Sequence, residues 1–140
     1  MTSLIGFFTL CISFIFNIII LIIFNYLNKK KFKTFFYLSI YIGTVAIIIS
    51  FLSLVYAYIE SDFTNYNVFQ NSHSTKPLLY KITGAWGNHE GSMLLWLMIM
   101  QIYNFFFSFN NSLEKKTKDL TIFFQSTLYI FFCLFVIFTS

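Results

Sequence analysis

Polar positions are scarce along this chain, and they gather in clusters that cut the rest into apolar runs. Residues 4–27 are dominated by Phe, Ile and Leu, and the first 28 residues carry no charge. That run exceeds the roughly 20 residues needed to cross the hydrocarbon core of a bilayer as a helix. Residues 34–59, 88–109 and 120–138 are three further runs of spanning length. The pattern predicts an all-α integral membrane protein, residues 1–140 forming a single membrane domain with four transmembrane helices.

Residues 60–81 form the one long polar connection. Pro77 disfavours a helical conformation at Lys76, and residues 78–82 read as a short amphipathic lead-in at the surface. His73, in the middle of this connection, reads as a solvated loop residue. Counted from Met93 the third run is short for a span. Its helix therefore starts back near Asn88, or residues 82–92 form a re-entrant segment. Non-helical backbone at membrane depth persists only under a cover of protein or water.

Smaller features refine the helices. Ser13 and Asn17 lie four apart and share a face, which predicts hydrogen bonding to a neighbouring helix. Gly43 and Ala46 offer close approach on the second helix. Tyr37, Tyr41, Tyr56 and Tyr58 lie near its ends, as an interfacial aromatic belt would place them. Cys11 and Cys133 sit inside apolar runs without metal-ligand spacing, and read as small buried hydrophobes.

Composition supports the same class: 58% of residues are hydrophobic and 10% charged, against about a quarter charged in soluble domains. The net charge of +4 comes from nine Lys and no Arg. Four of these Lys lie in residues 28–33 and three in residues 110–119, both short connections, so they set topology and do not mark a nucleic-acid surface. By the positive-inside rule these connections face the cytoplasm or matrix, and both termini and the 60–81 connection face the other compartment. Abundant Phe, Ile, Asn and Lys, with few Ala and Gly, is the residue usage that A+T-rich coding produces, as in many organelle genomes. The expected location is the mitochondrial inner membrane, with both termini toward the intermembrane space.

The chemistry concentrates in Trp86-Gly87-Asn88-His89-Glu90-Gly91-Ser92, followed by Met93-Leu94-Leu95-Trp96. Ionisable groups at the mouth of a spanning helix are functional by default. A zinc site is disfavoured, because adjacent His89 and Glu90 point about 100° apart on a helix and position 93 is Met, which breaks His-Glu-x-x-His. Ser92 shares a face with His89, but no third orienting group completes a nucleophilic triad. A structural role explains part of the segment: Asn88 caps the helix start, Glu90 complements its dipole, and Trp86 and Trp96 anchor at the interface. Gly87 and Gly91 bracket the His-Glu pair, which suggests close approach by another chain or a flat ligand.

Gly-Ala-Trp-Gly-Asn-His-Glu-Gly-Ser-Met-Leu-Leu-Trp resembles the signature Trp-Gly-x-His-Glu-Gly-Ser-(Leu/Met)-Leu-Leu-Trp of the CcmF family of cytochrome c haem lyases. Ser61-Asp62-Phe63-Thr64, Leu78-Leu79-Tyr80-Lys81 and Phe138-Thr139-Ser140 resemble family segments as well. The resemblance implies a part in attaching haem to apocytochrome c, with Trp86, Gly87, His89, Glu90, Gly91, Ser92 and Trp96 as the shared surface. The family's Trp-rich haem-contacting segment and its haem-ligating histidines have no counterpart among these 140 residues. The resemblance therefore implies the N-terminal piece of a split protein, a membrane subunit that is no complete enzyme, with no catalytic residue of its own. Haem would sit in the assembled complex on a partner chain, and the partners would be the other membrane subunits, apocytochrome c and the lipid bilayer. The alternative is a structural subunit of a respiratory-chain complex without maturation activity.

Overall fold

The computed structural model describes residues 2–27, 30–110 and 114–139. They form six helices: α1 (Thr2–Phe24), α2 (Lys30–Glu60), α3 (Tyr66–Asn71), α4 (Leu78–Gly84), α5 (His89–Ser108) and α6 (Lys115–Thr139). Among the described residues there is no strand, and α1, α2, α5 and α6 are long and apolar enough to span a membrane. The all-α, four-span architecture read from the sequence is the observed one. Parts of both basic connections, residues 28–29 and 111–113, lie outside the described residues, as does Ser140.

The bundle is built with its polar side chains inward. On α1 the buried positions are Leu10, Ser13, Asn17, Ile20 and Ile23; on α5 they are Gly91, Leu94, Leu97, Gln101, Asn104 and Ser108. Both sets recur at three- and four-residue steps, which draw one stripe along a helix. Phe8, Ile15, Ile22, Phe106 and Phe131 point outward. Outward Phe and Ile suit hydrocarbon, where an exposed hydroxyl or amide would lack a partner.

Ser13 and Gly43 supply the expected interhelical contact. The Ser13 hydroxyl donates to the Gly43 carbonyl of α2 at 2.9 Å, and its oxygen lies 2.7 Å from the Tyr129 hydroxyl of α6. Asn17 differs from the expectation: its amide donates to the Ser13 carbonyl one turn back, within α1. Gln101 of α5 packs over Gly43, where a Cβ would stand 3.0 Å from its Nε2. Gln101 is 1% exposed, and neither of its amide atoms has a hydrogen-bond partner. Cys133 is fully buried with Leu10, Ile47, Phe51, Leu97 and Tyr129, as a small hydrophobe; Cys11 is half-buried, and both thiols are free.

Two helices start earlier than the sequence reading, α2 at Lys30 in place of residue 34 and α6 at Lys115 in place of residue 120, whereas the stop of α2 at Glu60 is where the sequence puts it. α6 begins at Lys115, so Lys115 to Asp119 belong to a helix and not to the connection. Lys is a good helix former, and the Lys118 ammonium donates to the Ser108 carbonyl at 3.1 Å, closing an open carbonyl at the end of α5. α2 stops at Glu60 with Ser61 in the left-handed region at φ 55°. There the Asp62 amide bonds the Ala57 carbonyl and the Ser61 amide bonds the Tyr58 carbonyl. This paired bonding satisfies the last carbonyls of a helix and turns the chain sharply back. The turn lays the 60–88 segment across the end of the bundle.

Candidate functional site

The Trp86–Trp96 segment resolves into a turn and a helix start. α4 ends at Gly84, residues 85–88 form a turn, and α5 opens at His89 with Asn88 as its cap. The Asn88 side-chain oxygen accepts from the Gly91 amide at 2.7 Å, as a capping Asn should. The close approach anticipated at the glycines is internal to the chain. A side chain on Gly91 would collide with the carbonyl oxygen of Ala85, so the turn folds directly onto the first turn of α5. Gly87 is looser, with a Cβ position 3.3 Å from the Thr83 carbonyl oxygen.

Around Asn88 a network ties four elements together. Its amide nitrogen lies 3.1 Å from the Asn67 side-chain oxygen, and the Asn67 amide nitrogen lies 3.1 Å from the Asn88 oxygen. The two carboxamides thus form a closed reciprocal pair. The Tyr58 hydroxyl donates to the same Asn67 oxygen at 2.6 Å and accepts from Asn88 at 2.8 Å. Asn88 also reaches the Gly84 carbonyl at 3.0 Å. The Asn67 amide donates to the Glu90 carboxylate as well. Tyr58 comes from α2, Asn67 from α3, Gly84 from α4 and Glu90 from α5.

Each position has a local cause. Asn65 caps the six-residue α3 by accepting from the Asn67 amide at 3.0 Å, which fixes the side chain of Asn67 beneath it. Tyr58 is fully buried with Ala57, Val68 and Ala85, and Gly84 packs against its ring so closely that a Cβ there would stand 3.2 Å from it. Tyr58 is therefore part of the site and not of an interfacial belt, whereas Tyr41 and Tyr56 are exposed as a belt requires. The 60–81 connection is held at both ends. Lys81 donates to the Ser61 hydroxyl at 2.7 Å, and Asp62 accepts from Thr2 of α1 and from Thr64. The Thr64 hydroxyl, and after it that of Thr2, hold the Asp62 carboxyl below the usual carboxylate range.

The outward groups are Trp86, His89 and Trp96. Trp86 is 37% exposed and stacks on Phe51, with ring centres 6.4 Å apart. Trp96, one face round on α5, is 60% exposed. His89 is exposed and meets Phe135 of α6 edge-on at 6.2 Å. The Ser92 hydroxyl donates to the His89 backbone carbonyl, so its proton is directed away from the imidazole. His73 lies exposed in the connection.

The cavity at this site does not fit a haem. Among the described residues no group of three or more His, Cys, Asp or Glu is placed to hold a metal. The cavity beside Glu90 measures about 160 Å³, a benzene-sized room by comparison with cavities of known occupancy and far too small for a porphyrin. The arrangement is a locked amide pair at the start of α5, with Trp86 and His89 exposed beside it and Trp96 exposed about two turns further along the helix.

No family model matches the chain. Over 95 residues it is 44% identical to the cytochrome c-type biogenesis protein ccl1 of Rhodobacter capsulatus, covering 67% of this chain and 14% of that protein. Over 92 residues it is 48% identical to the cytochrome c-type biogenesis protein CycK of Rhizobium meliloti, covering 65% of this chain and 14% of that protein. Its fold superposes on the solved cytochrome c haem lyase CcmF with a TM-score of 0.87 at 21% identity, over 95% of this chain and 23% of that one. The chain thus spans 14% of the length of the curated relatives it matches.

Proposed function

The chain is a membrane protein of the CcmF-type cytochrome c biogenesis family over the residues it matches, and from this we propose that it is a non-catalytic membrane subunit of a haem lyase assembly. In this reading it supports haem attachment to apocytochrome c by holding the Trp86–Trp96 platform at the membrane surface. Haem is carried by partner chains that supply the rest of the family's fold. The observation that carries the reading is the match to cytochrome c biogenesis proteins across about two thirds of the chain.

The same proposal places the protein in the mitochondrial inner membrane with both termini in the intermembrane space. Support comes from the Lys-rich connections at one end of the bundle, since cytoplasmic or matrix loops carry the excess of positive charge. The platform then lies on the side where the termini lie.

The test is purification of the tagged chain in mild detergent, with accompanying proteins identified by mass spectrometry and haem read by absorbance. Recovery of a Trp-rich membrane chain together with haem is the expected result. Elution with a respiratory complex and no maturation protein would overturn it, and the platform would then be an assembly contact within that complex. His89→Ala separates the roles further: the haem content of the purified assembly should stay unchanged, because His89 is a surface group here.

A further inference from the structure

The cavity beside Glu90 has a polar wall over an apolar floor. It lies at the end of the bundle, open on one side and lined by α1, α2, α3, α5 and α6. Its polar wall is Ser3, Ser50, Ser53, Asn65, Asn67 and Glu90, and its floor is Leu10, Leu94 and Val136. No Lys lines it. The hydrogens of Ser50, Ser53 and Asn67 are directed elsewhere. Ser50 donates to the Gly6 carbonyl at 2.8 Å and Ser53 to the Ser50 carbonyl at 2.8 Å. The Asn67 amide is engaged by Asn88 and Glu90. What faces the space is a wall rich in acceptors: the oxygens of Ser50 and Ser53, the Asn65 side-chain oxygen and a carboxylate with one donor from the protein, beside the Ser3 hydroxyl and the Asn65 side-chain amide.

Such a wall calls for a cation that carries its own N–H donors, because charge-assisted hydrogen bonds to a carboxylate are the strong ones. The volume, about 160 Å³, admits one compact group on a short apolar stem. Depth selects its source. Ser3 to Leu10 runs seven residues into α1, about 10 Å at 1.5 Å per residue, which is the zone between headgroups and acyl chains. Phe7, 54% exposed on the outside of α1, forms part of the rim. We propose that this cavity binds the protonated ethanolamine headgroup of a membrane phospholipid, with Glu90 as counter-ion and the serine oxygens as acceptors.

The experiment takes the chain as purified from membranes, with its accompanying chains, and delipidates it in detergent. Phosphatidylethanolamine, phosphatidylcholine or phosphatidylglycerol is then added back, and retained lipid is read by native mass spectrometry and the thermal midpoint by Trp fluorescence. Phosphatidylethanolamine should be retained about tenfold over phosphatidylcholine, whose quaternary ammonium has no N–H to donate, and should raise the midpoint. Two variants guard against a folding artefact. Glu90→Gln keeps an acceptor for Asn67 but removes the charge; Val136→Phe fills the floor and leaves Glu90 in place. Both should keep the fold and lose the preference. Equal retention of all three lipids, or an undiminished preference in either variant, overturns the proposal. Free ethanolamine is the last arm: if it raises the midpoint and the lipid does not, the lipid source is wrong.

Discussion

Asn88→Ala is the most informative single change, because three kinds of bond converge on that side chain. It removes the cap on the Gly91 amide, worth about 1 kcal/mol. It also removes the reciprocal amide pair with Asn67 and the bonds to Tyr58 and the Gly84 carbonyl. Tyr58 keeps Asn67 as a partner, so the net loss beyond the cap is about two bonds at ~1 kcal/mol each. The total is ~3 kcal/mol, a fall of roughly 10 °C in thermal midpoint for a chain of this length. Asn88→Ser restores the cap but not the tie, and should recover about 1 kcal/mol of the loss. The assay is thermal unfolding in detergent micelles, followed by Trp fluorescence. A Ser variant as stable as the native chain would refute the reasoning, since the tie across α2, α3 and α5 would then contribute nothing. Tyr58→Phe, combined with Asn88→Ala in a double-mutant cycle, should show a coupling of about 1 kcal/mol between the two residues.

Other expectations follow from single contacts. Gly91→Ala drives a methyl into the Ala85 carbonyl and should cost about 3 kcal/mol or more, whereas Gly87→Ala should cost under about 1 kcal/mol by the same unfolding assay. Gln101→Met removes two buried amide atoms that have no partner at nearly constant volume, and should raise stability by about 1–2 kcal/mol; a lower midpoint would show that Gln101 has a partner. Trp96→Ala should leave the midpoint within about 0.5 kcal/mol while reducing recovery of partner chains in the pull-down. Asp62 has a depressed folded-state pKa, so its contribution is present above the ordinary carboxylate pKa of about 4 and is lost as pH falls through the depressed value. Asp62→Asn should therefore lower the midpoint at neutral pH and flatten the acid limb of the midpoint-versus-pH curve, the two curves converging at low pH.

The architecture was readable because runs of Phe, Ile and Leu long enough to span a bilayer leave few other folds. The cap at Asn88 was equally readable, since an Asn before an ionisable first turn is a local signal. Two other parts depended on tertiary contact. Asn67 sits in a polar connection among several similar Asn and Ser residues, and nothing local separates it from Asn65 or Asn71. Tyr58 has the sequence context of a belt residue; only the turn at Ser61, which folds α3 and α4 over the helix end, buries it. Gly91 signalled close approach correctly, and the approaching group is the Ala85 carbonyl of its own backbone turn. The basic residues at 115–119 read as a connection because charge marks the end of a span; Lys118 instead reaches back to Ser108, a contact invisible without α5 beside it.

The reciprocal pair of Asn67 and Asn88 has a mechanical consequence. One carboxamide belongs to the connecting segment and the other to the base of a spanning helix, and the Asn67 nitrogen touches both Asn88 and the Glu90 carboxylate. A force that lifts the 60–81 segment must pull on the Glu90 side chain at the same moment. The segment and the carboxylate therefore move as one lever, and anything that grips the surface of the loop changes the grip on whatever Glu90 holds, in both directions and by the same free energy.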